Sequence, residues 1–244
     1  MTALRSYRLL FHWQILRLKG FIPLAIVVQG LFALGIVAGY PLLFPALDHQ
    51  TMLFLATGAP AITLITTGLV AVPQVISQAR TQGSLEYMRT LPVPRMVFLL
   101  ADLSVWLVIV LPGLVFALWV GAARFDLAFE VSLLVVPAFL LVALTSTAVG
   151  YAMACVLPPM IAVLLTQVMV VFVMLFSPLN FPAERLPGWL QSVHQVLPIE
   201  AMGEVIRGTL AGGAFPISAS PFLMLAAWCA GGLGVAYLTL RRRA

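Results

Sequence analysis

The few residues that could carry catalytic or nucleotide-binding chemistry are scattered along the chain. His12, His49 and His194 lie in three separate segments, so they form neither an H-E-x-x-H zinc motif nor an intramembrane Ser–His dyad. The one lysine, Lys19, precedes Gly20, so the phosphate-binding loop G-x-x-x-x-G-K-[ST] is absent. These positions exclude nucleotide binding through a P-loop and argue against catalysis within the bilayer.

Asp102 is an acidic residue well inside an apolar run, about two helical turns after Arg95. An ionisable side chain at such a position is a candidate functional residue. It can also be structural, pairing with Arg95 or extending toward the membrane surface. Its position near the end of the run favours the structural interpretation, because a proton-driven transporter usually places ionisable groups near the membrane midplane.

The polar side chains near the middle of the apolar runs are mainly threonines, with one glutamine beside methionine and phenylalanine. Such a lining suits an amphipathic or hydrophobic ligand and suits an ion poorly. The alternative is that the threonines bond to backbone carbonyls of their own helices. The candidate lining residues are Thr63, Thr66, Thr67, Gln167, Met169, Phe172 and Phe176.

The composition requires a membrane around these residues. Hydrophobic residues form 62% of the 244 and charged residues only 9%, whereas soluble domains carry about 25% charged residues. Six stretches approach or exceed the roughly 20 apolar residues that cross a bilayer. They are residues 21–47, 52–76, 96–121, 127–157, 160–176 and 221–240. None alternates as a barrel strand would, so we predict an all-α integral membrane fold with six transmembrane helices. Pro158 and Pro159 predict a tight hairpin between the fourth and fifth.

The basic residues predict the orientation. With the N-terminus in the cytoplasm, only Arg124, Arg185 and Arg207 of the 13 lysines and arginines lie outside, in accord with the excess of basic residues in cytoplasmic segments. The net charge of +5 therefore reflects topology. It does not indicate nucleic-acid binding, because no basic face with interleaved aromatic residues exists away from the membrane-flanking segments.

Residues 1–20 have the pattern of an interfacial helix. Leu4, Tyr7, Phe11, Ile15 and Leu18 recur at three- and four-residue spacing, which is the period of one helix face. Basic residues gather on another side, where they would meet anionic lipid. The alternative is a basic tail that only sets the topology.

Residues 77–95 form the loop between the second and third spans. Gly83 interrupts the chain, Ser84 suits a helix N-cap, and Glu86 would lie near the positive end of the helix that follows. A helix of under three turns is predicted here, with Arg80 and Arg89 on its surface. The segment is either an ordinary polar loop or a docking element for a cytoplasmic partner.

The outer segment, residues 177–220, contains two amphipathic patterns that are too short to span. The first begins near Pro187 and the second at Pro198, where proline suits a first helical turn. Glu204 and Arg207 can pair at i, i+3 on the second helix. Two apolar-faced helices in one outer segment predict a re-entrant pair that dips into the membrane edge.

Three features resemble the transmembrane subunits of type-2 ABC exporters, and together they cover nearly the whole chain. The first is six spans after an N-terminal interfacial helix. The second is QGSLEYMRTLPVPR, Gln82 to Arg95, which is similar to that family's coupling loop G-x-L-E-x-L-x-x-T-P-V. The third is the outer segment, whose FPAERLPGWL and VLPIEAMGEVIRG are similar to F-P-x-x-x-L-P-x-W-L and N-P-x-x-x-x-x-E-x-x-R, with Leu197 in place of the asparagine.

The resemblance implies that residues 1–244 form a single permease domain, half of a homo- or heterodimer that works with two copies of an ATP-binding subunit. ATP and Mg²⁺ would bind that partner, and this chain would carry no cofactor, metal or catalytic residue. The implied coupling residues are Arg80, Gly83, Ser84, Leu85, Glu86 and Arg89. The implied outer gate is Phe181, Pro182, Glu184, Pro187, Trp189, Glu204 and Arg207. The substrate path would lie at the dimer interface, lined mainly by the second and fifth spans.

The expected function is therefore ATP-driven export of an amphipathic or hydrophobic substrate, such as a drug, antibiotic or lipid-like molecule. The expected location is the bacterial inner membrane, with both termini in the cytoplasm. Export of a lipid-linked polysaccharide or of a haem-related molecule is an alternative within the family. An ATP-independent secondary transporter or channel is an alternative outside it.

Overall fold

The computed structural model describes residues 3–43, 49–84, 93–126, 129–179 and 181–242. Helices dominate these ranges, and the strand pairing within them is a single isolated parallel bridge between Glu130 and Ala211. The helices are α1 (Ala3–Leu18), α2 (Phe21–Leu43), α3 (His49–Thr66), α4 (Val72–Thr81), α5 (Arg95–Phe125), α6 (Val135–Val156), α7 (Pro159–Phe176), α8 (Gly188–Val196), α9 (Pro198–Leu210) and α10 (Ala219–Arg242).

The structure confirms the all-α membrane fold with six candidate spans. They are α2, the joined helix of α3 and α4, α5, α6, α7 and α10. The helix α1 and the starts of α2 and α5 lie at one end of the bundle, here called the α1 end. The helices α8 and α9 lie at the opposite end, here called the α9 end.

The second span widens into one π-helical stretch, Thr67–Ala71, between α3 and α4. Pro73 follows directly. A proline has no backbone N–H, and its ring clashes with the carbonyl four residues earlier. A π-helical turn accommodates such a break without ending the helix, so the span runs unbroken from His49 to Thr81.

The fourth span starts later than its apolar run suggests, at Val135 and not near residue 127. The preceding residues bind the end of α9. The Ser132 N–H donates to the Thr209 carbonyl (2.9 Å), and the Glu130 carboxylate accepts from the Gly213 N–H (2.9 Å). These bonds hold the segment as a loop, which hydropathy alone does not reveal.

The proline hairpin between α6 and α7 is confirmed. The helix α6 ends at Val156, Pro158 is extended (φ −56°, ψ 141°), and Pro159 begins α7. The ring fixes φ at a helical value and the missing N–H would be unsatisfied in the first turn anyway. One proline therefore ends a span while the next begins one.

The centre of the bundle is α6, which lies between the second span and α10. A side chain on Gly150 would collide with the carbonyl of Gly68 in the π-helical stretch. On the other side, a Cβ added at Gly232 of α10 would lie 2.9 Å from the carbonyl carbon of Ala148. Glycines thus permit three helix backbones to approach closely. The helix α7 is peripheral, since only Ala162, Thr166 and Val173 of it are buried.

Substituting Gly232 with alanine is expected to lower stability by roughly 1–3 kcal/mol, because the added methyl meets backbone that cannot rotate away. The matched control is Gly231→Ala, since a Cβ there meets nothing within 4 Å. Thermal unfolding in detergent should show a lower melting temperature for Gly232→Ala and no loss for Gly231→Ala. Equal melting temperatures would contradict the close approach of α6 and α10.

Candidate functional site

The helix α1 lies against α5 at the α1 end. Its buried face is centred on Ser6, Leu10, Gln14 and Leu18, so it includes polar residues and is rotated from the predicted stripe, whose Leu4 is 78% exposed. Of these polar residues, Gln14 interacts with Asp102 of α5. Tyr7, which follows Ser6 and lies beside this face, donates its hydroxyl hydrogen to Ser104 Oγ of α5 (2.8 Å).

Asp102 faces α1, where the Gln14 amide and the Arg17 guanidinium are its polar neighbours. Arg95, the partner considered from the sequence, donates instead to the Leu240 carbonyl. A cavity of about 10 Å³ lies between Gln14, Arg17, Asp102 and Tyr151, which is close to the space of one water molecule. Asp102 therefore lies at the contact between α1 and the third span, α5.

The coupling loop is described in part. Leu85, Glu86 and Arg89 lie outside the described residues. Gly83 has φ 72°, a left-handed conformation that favours glycine. The Ser84 hydroxyl donates back to the Ala79 carbonyl (3.0 Å), so it closes the preceding helix.

Arg80 was predicted on the surface of the coupling segment, and its guanidinium points into the bundle. Its Nη1 donates to the carbonyls of Ala154 and Leu157, the latter at 2.6 Å. Both carbonyls lie at the end of α6. Arg80 thus joins the beginning of the coupling loop to the hairpin between the fourth and fifth spans.

The candidate path residues fall into two groups. Thr63, Thr66 and Thr67 are buried within the bundle, and their hydroxyls donate to the carbonyls of Ala59, Ile62 and Thr63. These contacts fit the alternative in which the threonines bond to their own helix.

The other group lies along α7. Gln167 and Phe176 are exposed, while Met169 and Phe172 are half-buried. An exposed amide on a peripheral, otherwise apolar span is unusual, because unpaired polar groups are costly in hydrocarbon. Gln167 and Phe176 lie about half a turn apart around the helix axis, so they do not share one face. Gln167 lies with the exposed Leu164, Val168 and Val171 on the side of α7 that can face a substrate or another chain.

The helices α8 and α9 form where the sequence predicts them, and side-chain bonds hold α8 to two spans. His194 Nε2 is 2.8 Å from the Phe176 carbonyl. Because a carbonyl only accepts, Nε2 carries the proton. The His194 ring also stacks on Phe172 (5.3 Å between centroids), and Trp228 Nε1 of α10 donates to the Val196 carbonyl (3.1 Å). Whether the pair dips into the membrane edge stays a prediction.

Arg207 joins α9 to the second and fifth spans. It is only 6% exposed, and its guanidinium carbon lies 3.5 Å from the centre of the Phe54 ring. Its Nη2 donates to the carbonyls of Pro178 (3.3 Å) and Leu179 (3.1 Å). Burial lowers the pKa of Arg207 to about 10, and Glu204 opposes that change. Arg207 is therefore charged at neutral pH.

A cavity of about 420 Å³ opens beside Arg207 at the α9 end. It brings together four predicted gate residues, Pro182, Glu184, Glu204 and Arg207. Burial raises the pKa of Glu204. The other gate residues do not line the cavity: Trp189 is 69% exposed, Pro187 is exposed and Phe181 is half-buried.

Several residues at this end were missed by the sequence analysis. Phe54 and Phe215 contact Arg207 and line the cavity, and Trp228 and His194 hold α8. Aromatic residues in or beside apolar runs carry no distinguishing signal. His194 was visible as a polar residue on an amphipathic helix, but its partner, a backbone carbonyl, has no signature in sequence.

The comparison with protein families decides the identity of this bundle. The family model described as ABC-2 type transporter matches residues 6–211. The chain belongs to the ABC-2 type transporter family. The match extends from α1 to the residue after α9 and includes the loop that carries Arg80. No curated protein gave a significant match.

Membership assigns the general role of this ABC-2 chain. It is a multi-pass membrane protein and a transmembrane permease subunit of an ABC transporter. The family implies a separate ATP-binding partner subunit, which accords with the missing P-loop. Across the described ranges, no three His, Cys, Asp or Glu side chains are grouped to hold a metal ion.

Removing the Arg207 guanidinium is expected to destabilise the ABC-2 chain. In Arg207→Met the carbonyls of Pro178 and Leu179 lose their donor, at a cost of about 1–3 kcal/mol. Arg207→Lys keeps the charge but not the flat contact with Phe54, so a smaller loss is expected. Exposed Arg185→Met is the matched control. Thermal unfolding in detergent should give the lowest melting temperature for Arg207→Met, a higher one for Arg207→Lys and the highest for Arg185→Met. A melting temperature for Arg185→Met as low as that of Arg207→Met would contradict this expectation.

Acid is expected to weaken the α7–α8 contact through His194. Burial lowers the pKa of His194, so the folded chain favours the neutral ring. This contribution is complete above the ordinary value of 6.5 and is lost as pH falls through the lowered pKa. The raised pKa values of Glu200 and Glu204 have the opposite effect, because they make the folded chain more stable as pH falls. Their effect is removed by comparing the wild type with His194→Gln.

The melting temperature should fall from pH 8 to pH 5 by more in the wild type than in His194→Gln. The glutamine amide stays uncharged over this range and can still donate a hydrogen bond. An identical pH profile for the two proteins would show that His194 does not titrate against the fold.

Proposed function

We propose that the chain is half of the membrane-spanning part of an ATP-driven exporter for an amphipathic or hydrophobic substrate. In this proposal two permease subunits work with two copies of the ATP-binding subunit in the bacterial inner membrane. Both chain termini lie in the cytoplasm, and the α9 end faces outward. Transport proceeds by alternating access.

The exposed side of α7 is the observation that carries this proposal. The helix packs on the remaining spans through a narrow face, and Gln167 lies with Leu164, Val168 and Val171 on its exposed side. Two copies of the chain can bring these faces together around a path. Leucine, valine and one amide then provide an apolar lining with a hydrogen-bonding group, which suits an amphipathic molecule.

The coupling loop is proposed to receive the movement of the ATP-binding subunit. Leu85, Glu86 and Arg89 are the proposed contacts, with Gly83 supplying the turn that precedes them. The mixed charges of Glu86 and Arg89 suit a polar docking surface.

The cavity at the α9 end is proposed as the exit. Glu184, Glu200 and Glu204 surround it with Arg207, and Phe54 contributes an apolar wall. Aromatic and apolar walls with a few charged groups are typical of sites for small amphipathic ligands. The bonds from Arg207 to Pro178 and Leu179 place the wall of this cavity next to the end of α7.

A bulky group placed at position 167 is expected to block transport. Gln167→Cys and the control Val115→Cys, on an exposed face of α5, are made in a background with Cys155 and Cys229 replaced. Each is reconstituted with the ATP-binding subunit, labelled to completion with a bulky maleimide, and assayed for ATP-driven export of a lipophilic fluorescent dye.

Labelling at position 167 should abolish most export, because the group lies in the path, whereas labelling at 115 should leave the rate near that of the unlabelled protein. Full export by the completely labelled Gln167→Cys protein would refute the assignment of α7 to the path. ATP-independent export in both variants would refute ATP-driven transport itself.

A further inference from the structure

Two arginines mark the ends of the coupling loop. Arg80 lies in the last turn of α4, and Arg95 is the first residue of α5. Both are half-buried. Each guanidinium donates to backbone carbonyls of a span distant in sequence, Arg80 to the end of α6 and Arg95 to Leu240 near the end of α10.

The carbonyls that they bind lie at or near the described ends of helices. The Ala154 carbonyl would normally accept from the residue four positions on, which is Pro158 and has no N–H. Leu240 lies in the last described turn of α10, which the structure describes as far as Arg242. Carbonyls in a last turn have no N–H partner within their helix and carry partial negative charge. A guanidinium offers such carbonyls several N–H donors, and its permanent positive charge is attracted to their partial negative charge.

The two spans reached by the arginines are themselves packed together. The backbones of α6 and α10 meet where Gly232 lies against Ala148. From α10 the Trp228 side chain donates to the Val196 carbonyl of α8. A continuous set of contacts therefore runs from both ends of the coupling loop, through α6 and α10, to the helices at the α9 end.

We propose that Arg80 and Arg95 are positioning residues that transmit movement of the coupling loop to α6 and α10. The inference rests on the proposed function, in which the ATP-binding subunit moves this loop. It also changes the role of Arg80. Arg80 acts through the carbonyls of Ala154 and Leu157 and is not a contact for the ATP-binding subunit.

The short bond from Arg80 to Leu157 (2.6 Å) and the two-carbonyl geometry explain why arginine is needed. Lysine offers a point charge on a flexible stem, whereas the guanidinium is a rigid planar group with directed donors. A rigid link passes a displacement between helices, and a flexible one absorbs part of it. Lysine at position 80 should therefore preserve the fold and weaken coupling.

The test uses the permease together with its ATP-binding subunit in liposomes. The variants are Arg80→Gln, Arg95→Gln and Arg80→Lys, and the control is Arg124→Gln, an exposed arginine at the opposite end of α5. Four quantities are measured: the melting temperature, retention of the ATP-binding subunit, basal ATP hydrolysis, and the stimulation of hydrolysis by a lipophilic dye that the wild type exports.

In both glutamine variants the stimulated-to-basal ratio should fall by about fivefold or more, the lower end of ordinary coupling between sites. Subunit retention and basal hydrolysis should persist. Arg80→Lys should give an intermediate ratio, and Arg124→Gln should match the wild type. A purely structural role would instead reduce melting temperature, retention and basal rate together.

Wild-type stimulation in Arg80→Gln and Arg95→Gln would overturn the inference, as would a parallel loss of all four quantities. A wild type that neither exports dye with ATP nor shows stimulated hydrolysis would overturn the proposed function instead. The two failures are therefore distinguishable in one set of samples.

Discussion

A backbone carbonyl at the end of a helix has no N–H partner in its own helix, and within hydrocarbon it has no water either. In this chain donor side chains from other elements satisfy such carbonyls. Arg80 and Arg95 do so at the α1 end, and Arg207 and His194 do so around the end of α7. Trp228 does the same for the end of α8. Each of these bonds joins two different elements of the bundle.

Helix packing is closest around α6 and least extensive around α7. The helix α6 is fixed on both sides, by the π-helical stretch around Gly68 and by Gly232 of α10. The helix α7 shares one narrow face with α4 and is held at its end by bonds to its last carbonyls.

Local patterns predicted much of this fold. Six apolar runs gave six candidate spans, and Pro158 with Pro159 gave the hairpin, because length, hydropathy and missing donors act over a few residues. The start of α6 was not predictable, because the Glu130 carboxylate accepts from the N–H of Gly213, a residue remote in sequence. The same limit applies to Asp102, whose neighbours lie on α1 and not on its own helix.

The candidate site shows the same division. Arg207 and Glu204 were visible as charges on an amphipathic helix, whereas Phe54, which stacks on Arg207, lies within a uniformly apolar run. The threonines were visible as polar residues in spans, whereas their bonds to preceding carbonyls follow from helix geometry. The sequence shows which side chains are charged or polar. The partners of those side chains, such as the Phe54 ring or a backbone carbonyl, are known only once the fold is known.

The central claim is that this permease moves its substrate only when an ATP-binding subunit drives it. The most direct measurement compares flux of a lipophilic dye in liposomes that hold the chain alone with flux in liposomes that hold the chain and the ATP-binding subunit. With both subunits, dye movement should begin on addition of ATP and Mg²⁺ and stop with a non-hydrolysable analogue. The chain alone should remain inactive under an imposed proton or sodium gradient. Gradient-driven dye flux by the chain alone would contradict the account.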